Sequence, residues 1–185
     1  MFPYFLALPL PSLIRQQLAL LCYGLPNVRW VEEENFHLTL RYLGPLTNSE
    51  EEKIKSYLTQ LFFRPFFIQL QRIGHFHSKK DQGVLWVGIQ SSPPLIELKK
   101  RIDRALQPLK LPKDDRGFQP HVTLGRYQTL NKNRLEDYLL SHLNYESSLI
   151  EINQCILFRS HQTPKHLIYE SIETYSSDNS NLFNE

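Results

Sequence analysis

Apolar and polar residues follow two different periods along the chain, and each period indicates a type of secondary structure. Segments in which every second residue is apolar predict strands, and apolar residues three and four positions apart predict amphipathic helices. The predicted strands cover residues 4–8, 28–31, 36–43, 66–73, 84–89, 121–127, 149–158 and 167–172. The predicted helices have apolar stripes over residues 14–25, 54–61, 95–109 and 135–139.

Start and stop signals accompany three of these helices. Gly24 closes the first, because glycine is common just beyond a helix C-terminus. Ser49 and Glu52 have the spacing of a capping box and predict the start of the second helix. The run Ser91-Ser92-Pro93-Pro94 predicts the start of the third. The polar segment 74–83 predicts a loop between two strands.

One tetrapeptide pattern, His-x-Thr-Leu, occurs twice, at residues 37–40 and 121–124, each time within a predicted strand. Side chains two apart on a strand lie on the same face. The first copy therefore places His37 beside Thr39, the second places His121 beside Thr123, and the leucines point into a core. We interpret the chain as two related halves, each contributing one strand to a shared site.

The order of the elements predicts an α+β fold. Strands and helices alternate as β-α-β-β-α-β, and a similar series with one more strand follows. This order favours two pseudo-symmetric lobes, each an antiparallel sheet with helices on its outer face, around a central cleft. We expect one domain over residues 1–175 and a flexible polar tail over residues 176–185.

Charge and composition narrow the classes of protein that fit. The chain has 185 residues and a formal net charge of +2, which disfavours a protein that grips long duplexes through many phosphates. Cys22 and Cys155 lie in apolar surroundings without metal-site spacing, so we expect two reduced, buried thiols. No run has the length of a membrane span, and the start lacks the basic region of a signal peptide, so we expect a cytoplasmic protein.

Two histidines paired with two threonines suit acid–base chemistry at phosphorus. An unperturbed imidazole titrates near neutral pH, so one ring can accept a proton while the other donates one. The hydroxyls can hold non-bridging oxygens while water attacks opposite the leaving oxygen. Because both motifs lack carboxylates that could hold a divalent cation, we expect neither a metal nor another cofactor.

Several stretches together resemble the two-histidine phosphoesterases, and within them the RNA 2′,3′-cyclic phosphodiesterases, also called the 2′-5′ RNA ligase or LigT-like family. The resemblance extends over roughly residues 2–175 and is looser in the C-terminal hairpin. The stretches that carry it are FLALPLP at residues 5–11, RWV at 29–31, NFHLTLRYLG at 35–44, VLWVG at 84–88 and FQPHVTLGR at 118–126.

This resemblance implies hydrolysis of an RNA 2′,3′-cyclic phosphate to a 2′-phosphomonoester, with ATP-independent 2′-5′ ligation as the reverse reaction. It also implies that His37 is the proton donor and His121 the proton acceptor. The implied partners are RNA ends or short oligonucleotides, and we expect a monomer. Two alternatives stay open, namely a different cyclic phosphate or 2′-5′-linked substrate in the same site, and a non-catalytic RNA-binding module.

Two arginines are candidate phosphate ligands beside Thr39 and Thr123. Arg126 matches the family's arginine after the second motif, but strict alternation from His121 puts it on the opposite face. Gly125 would resolve this conflict by allowing a bulge or the end of the strand. Arg41 lies on the catalytic face by alternation, and we predict a secondary phosphate or RNA contact there.

The other histidines and the tryptophans have simpler interpretations. His75 and His77, with Lys79 and Lys80, are expected in a mobile loop at the rim of the site rather than in a metal site. The other three histidines lie outside any recognisable motif, and we interpret them as surface or core residues. They are His142, His161 and His166. The two tryptophans, Trp30 and Trp86, are expected in the core.

Overall fold

Ten strands and four α-helices make up the part of the chain that the computed structural model describes, which is residues 2–77, 82–111, 117–163 and 167–177. The strands are β1 (Pro3–Pro9), β2 (Val28–Trp30), β3 (His37–Pro45), β4 (Phe66–Ile68), β5 (Leu70–His77), β6 (Gly83–Ile89), β7 (His121–Tyr127), β8 (Ile150–Ile152), β9 (Gln154–Gln162) and β10 (Leu167–Ser176). The helices are α1 (Ser12–Ala19), α2 (Asn48–Leu58), α3 (Pro93–Leu106) and α4 (Lys132–Ser141), with short 3-10 helices at Glu33–Asn35 and Gln107–Leu109.

Eight of the described strands form one antiparallel sheet. Their order is β10-β9-β1-β3-β7-β6-β5, and β2 also pairs with β7. The remaining two strands, β4 and β8, pair with each other. The predicted α+β class with antiparallel sheets is therefore confirmed.

The large sheet consists of two groups of strands, β10-β9-β1-β3 and β7-β6-β5 with β2. The groups are joined by few residues, and they do not correspond to the two halves of the sequence. Strands β3 and β7 share one residue pair, Leu38 with Val122. On one side of this joint, the C-terminal hairpin β9–β10 pairs with β1 and so lies beside the N-terminus. The sequence repeat predicted two lobes but not that the C-terminal hairpin would join the N-terminal lobe. Strand pairing over such a long separation leaves no local pattern.

The core lies between the large sheet and the helices. The leucines of both motifs are buried there, as predicted, and fully burying a leucine contributes about 1.5–3 kcal/mol. The largest fully buried side chains are Leu6, Leu8, Leu18, Leu38, Ile54, Leu58, Ile68, Leu70, Leu85, Leu95, Leu98 and Ile102.

Two helix boundaries differ from the prediction. Helix α1 ends at Ala19, and the buried Leu21 and Leu25 follow it in an irregular segment whose turns have i→i−3 hydrogen bonds. The capping box of α2 is Thr47 with Glu50, not Ser49 with Glu52. The sequence offers the same spacing twice, and the earlier box adds helical residues before the apolar stripe.

Two predicted strands are each divided by a change of partner. The prediction for 66–73 becomes β4, which pairs with β8, and β5, which pairs with β6. The prediction for 149–158 becomes β8 and β9 for the same reason. Apolar alternation shows which face is buried, whereas the partner strand depends on the whole fold.

The predicted loop 74–83 is wrong over its first four residues and at Gly83, which begins β6. Strand β5 continues to His77, and His75 Nδ1 lies 3.2 Å from the hydroxyl of Tyr127. Polar side chains on a half-exposed strand produced the error. Lys79 and Lys80 lie outside the described residues.

Two further expectations concern the thiols and the membrane. Both cysteines are free thiols, and Cys155 is buried as predicted, whereas Cys22 is only half-buried. Across the described ranges, none of the helices has the length and hydropathy needed to cross a lipid bilayer. The predicted tail begins at the last residue of β10, and residues 178–185 lie outside the described residues.

Candidate active site

The two histidine motifs meet at the middle of the large sheet. Leu38 of β3 pairs with Val122 of β7 in antiparallel order. One step from this pair in either direction, each histidine therefore lies beside the threonine of the other motif. Within the first motif, His37 Nε2 lies 3.0 Å from the Thr39 hydroxyl oxygen. The structure thus brings together the four residues that the repeat predicted.

Both imidazole rings are oriented by the same kind of hydrogen bond. His37 Nδ1 lies 2.7 Å from the main-chain oxygen of Asn35, and His121 Nδ1 lies 2.7 Å from that of Gln119. A carbonyl oxygen only accepts, so each Nδ1 carries a proton and donates it. This fixes the tautomer and leaves Nε2 of each neutral ring as the atom that can gain a proton.

Aromatic side chains surround the two rings. Phe5 stacks on His37 with ring centroids 4.8 Å apart, and Tyr169 meets the same ring edge-on at 5.1 Å. Phe76 meets His121 edge-on at 5.0 Å. These contacts remove water from the imidazoles and disfavour their charged forms.

The pKa values of both histidines are lowered from the usual range. Burial is the main cause of the shift of the His37 pKa to about 4, and the positive charges of His121 and Arg126 contribute in the same direction. Burial also lowers the pKa of His121, and Arg126 adds to the effect. The hydrogen bonds to the main-chain carbonyls act in the opposite direction.

A β-bulge in β7 decides where Arg126 points. The pairing with β6 skips Leu124, which shifts the register by one residue. Leu124 and Gly125 are therefore both buried, and the exposed Arg126 returns to the face of His121 and Thr123. The predicted bulge is present, and it resolves the conflict with strict alternation.

Gly125 is required by the close approach of β2 to this bulge. A Cβ atom at this position would lie 2.7 Å from Val28 Cγ1 and 2.8 Å from the Trp30 ring. Real Cβ contacts are not this short. The glycine thus permits the packing that accompanies the bulge.

Strand β3 has a bulge at the matching position, and it overturns the prediction for Arg41. The pairing with β1 skips Leu40, so Arg41 lies opposite the fully buried Leu6 on the helix side of the sheet. Its guanidinium lies 2.7 Å from the Asp103 carboxylate on α3. Tyr42, which is 61% exposed, occupies the face where alternation placed Arg41.

The two motifs therefore continue alike in structure but not in chemistry. In each, the residue after the leucine turns inward and the next residue returns to the histidine face. Tyr42 and Arg126 are structural counterparts, as are Arg41 and Gly125. This asymmetry gives the two sides of the site different side chains, a tyrosine on one and an arginine on the other.

Comparison with known proteins identifies the family. The 2′-5′ RNA ligase superfamily matches residues 25–162. The chain belongs to this family. A relative named RNA 2′,3′-cyclic phosphodiesterase from Methanocaldococcus jannaschii is 32% identical over 175 residues, covering 92% of this chain and 98% of the relative. One of the same name from Aquifex aeolicus is 30% identical over 152 residues, covering 80% of each chain.

Solved structures show the same fold. Escherichia coli LigT in complex with 3′-AMP superposes with a TM-score of 0.77 at 20% identity, covering 95% of this chain and 98% of LigT. The protein TT0787 of Thermus thermophilus also gives 0.77 at 20% identity, covering 94% and 97%. The family predicted from the sequence is confirmed.

Several residues near the histidines of this 2′-5′ RNA ligase superfamily member were not predicted as site residues. Trp86 was expected in the core, but it lies opposite Thr123 and therefore on the histidine face. Alternation in β1 could have identified Phe5, because it points away from the buried Leu6. Tyr169 carried no sequence signal, since its place depends on the pairing of β10 with β9.

The remaining histidines lie outside this cluster or outside the described residues. His161 Nε2 lies 2.6 Å from the Glu170 carboxylate, and His142 Nδ1 lies 2.8 Å from the Tyr138 main-chain oxygen. His166 lies outside the described residues. Within the described ranges, three or more histidine, cysteine or acidic side chains nowhere cluster closely enough to hold a metal ion.

Proposed function

We propose that this protein hydrolyses the 2′,3′-cyclic phosphate at an RNA end to a 2′-phosphomonoester, with two histidines as acid and base and without a metal. The observation that carries the proposal is the meeting of two imidazoles that are each held through Nδ1 by a main-chain carbonyl. The names of the curated relatives support the choice of substrate.

In the proposed reaction, His121 Nε2 accepts a proton from the attacking water. The water oxygen bonds to phosphorus, and the bond between phosphorus and the 3′ oxygen breaks. Protonated His37 donates a proton to that leaving oxygen, which becomes the 3′ hydroxyl. The direction of proton transfer comes from the family resemblance. It is supported by the deeper burial of His37, because a lower pKa makes its charged form the stronger acid.

Three side chains are proposed to hold the non-bridging oxygens. The hydroxyls of Thr39 and Thr123 flank the two rings, and the Arg126 guanidinium lies on the same face. Donors fixed before the reaction stabilise charge that develops at phosphorus, and each is worth about 10²–10³ in rate. We assign Arg126 the main charge contact and leave Arg41 out of the site.

The phosphate itself contributes to the protonation of the site. In the free protein both rings are neutral at neutral pH, because burial lowers both pKa values. An anionic phosphate between them favours a charged imidazole and raises these pKa values. Substrate binding therefore provides the protonated acid that the reaction needs.

The protein is also proposed to act as a monomer. The chemistry assigned to these side chains uses no cofactor. We also propose that the protein acts in the cytoplasm, where RNA ends are accessible.

The direct test is incubation of the purified protein with a short RNA ending in a 2′,3′-cyclic phosphate, in the presence of EDTA. We expect a 2′-phosphate product that disappears in the His121→Ala variant and persists in His142→Ala, which removes a histidine outside the site. Loss of turnover on chelation would contradict the metal-free mechanism. Binding without turnover would favour the RNA-binding module, and cleavage restricted to 2′-5′ linkages would replace the substrate.

A further inference from the structure

Strand β2 places a second arginine next to Arg126. Arg29 pairs directly with Arg126 across β2 and β7. The neighbours Val28 and Trp30 pack against the core, so Arg29 points to the opposite face. That face carries the second motif, and the side chain of Arg29 is exposed there.

This pair is unusual in its charge. Like charges directly opposite each other on paired strands destabilise the pair. Within the described part of the chain, neither Arg29 nor Arg126 forms an ion pair, although Arg41, Arg101 and Arg159 each do. An anion between the two guanidiniums would turn this repulsion into attraction on both sides.

The pair also extends the site in one direction. Arg126 lies on β7, the strand that carries His121 and Thr123, and close enough to both histidines to lower their pKa values, whereas Arg29 lies on the neighbouring strand β2. Along the sheet, Arg29 is therefore the outer and Arg126 the inner member of a short positive track. Guanidinium groups bind phosphate oxygens through several fixed donors, so one track can serve two neighbouring phosphates.

We propose that Arg29, together with Arg126, binds the phosphodiester on the 5′ side of the terminal nucleotide. This inference rests on the proposed function and makes its substrate class more specific. A cyclic-ended oligonucleotide uses both the histidine site and the arginine pair. A cyclic mononucleotide has no second phosphate and uses only the former.

The test compares kcat/KM for a cyclic-ended trinucleotide with kcat/KM for the corresponding 2′,3′-cyclic mononucleotide. We expect Arg29→Ala to lower the ratio of the two by about tenfold, because a charge-assisted hydrogen bond is lost. Arg29→Lys should restore part of the ratio through its charge. The slope of log kcat/KM against log salt for the trinucleotide should become shallower by about one in Arg29→Ala.

Arg104→Ala is the control, since it removes another exposed guanidinium, this one from α3 on the helix side of the sheet. It should leave both the ratio and the salt slope unchanged. An unchanged ratio in Arg29→Ala, or an equal loss with Arg104→Ala, would overturn the proposal.

A second measurement separates this inference from the proposed function. Fluorescence anisotropy with a labelled trinucleotide ending in a 2′-phosphate reports binding without turnover. If the wild-type protein hydrolyses neither cyclic substrate, the proposed function fails. Weaker binding of the probe by Arg29→Ala would still support the arginine pair in that case. Equal affinity of the wild-type protein and Arg29→Ala for this probe would overturn the pair even if hydrolysis is observed.

Discussion

The two histidines of the site have the same hydrogen bond to the main chain but different surroundings. His37 lies between Phe5 and Tyr169, and burial lowers its pKa to about 4. His121 has a more open position, and burial lowers its pKa to a smaller extent. The sequence predicted the pairing of these residues through strand alternation. It could not predict the difference in burial, which comes from strands distant in the chain.

The lowered pKa values predict an acid-shifted pH profile. The proposed mechanism requires one neutral and one charged imidazole, so kcat/KM should follow a bell between the two free-protein pKa values, with its centre below pH ~6.5, the unperturbed value. The bound phosphate raises both pKa values, so the kcat profile should lie at higher pH. Steady-state kinetics across the pH range checks both statements. Two coincident profiles centred above the ordinary imidazole value would contradict this explanation.

Two arginine variants separate a structural role from a role in the site. Arg41→Gln removes the ion pair with Asp103 and should lower the free energy of unfolding by about 1 kcal/mol, because Asp103 is partly exposed. We expect it to retain activity. Arg126→Gln should not lower the free energy of unfolding, because it relieves the repulsion with Arg29, and it should lower kcat/KM by about 10²-fold. Denaturant unfolding and kinetics on both variants test this contrast, and the reverse pattern would restore Arg41 to the site.

At the scale of elements, matching bulges in β3 and β7 decide which side chains follow each motif onto the histidine face. The His-x-Thr spacing could be predicted because alternation is a local property of any strand. The bulges could not be located reliably, because they arise where β1 and β6 set the register of the motif strands. Gly125 was the one local signal of a bulge, and it correctly predicted that Arg126 returns to the histidine face. A signal of this kind is absent at Leu40, so Arg41 was placed on the wrong face.

The bulge in β7 predicts a coupled effect of two substitutions. Gly125→Ala introduces a Cβ atom 2.7 Å from Val28 Cγ1 and should destabilise the fold by about 1–3 kcal/mol. Val28→Ala removes that methyl group and loses some core packing. The double variant should be less destabilised than the sum of the two single variants. The difference should be about 0.5 kcal/mol or more, as for other residues in contact. Strict additivity in denaturant unfolding would mean that Val28 does not restrict this position.

For the molecule as a whole, the C-terminal hairpin completes the site that the N-terminal half begins. Tyr169 of β10 contacts His37, and the Asn35 side chain donates a 2.7 Å hydrogen bond to the main-chain oxygen of Leu167. The main-chain oxygen of Asn35 accepts the hydrogen bond from His37. The repeat in the sequence predicted two halves and a shared site. The exchange of the hairpin between them follows from long-range strand pairing, which apolar patterns do not encode.

Asn35 should therefore act as a positioning residue for His37. Asn35→Asp keeps the shape but replaces the donor with a carboxylate that faces the Leu167 carbonyl oxygen. We expect a loss of about 1–3 kcal/mol in the free energy of unfolding, because Asn35 is only 9% exposed. We also expect a lower kcat and a raised pKa in the kcat/KM profile, since the new charge favours protonated His37. Gln119→Asp serves as the comparison, because its side chain makes no such connection among the described residues. An unchanged pH profile in Asn35→Asp would contradict the positioning role.

We propose that two imidazoles at the joint between β3 and β7 transfer protons while water attacks the cyclic phosphate. The most direct measurement is single-turnover hydrolysis of a cyclic-ended RNA in heavy-oxygen water with EDTA, using the wild-type protein, His37→Ala, His121→Ala and His142→Ala. We predict one heavy oxygen atom in the 2′-phosphate product and a loss of about 10²–10⁴ in rate for each of the first two variants. The His142→Ala variant should match the wild type. Turnover that survives loss of either motif histidine, or that requires a metal, would contradict the account.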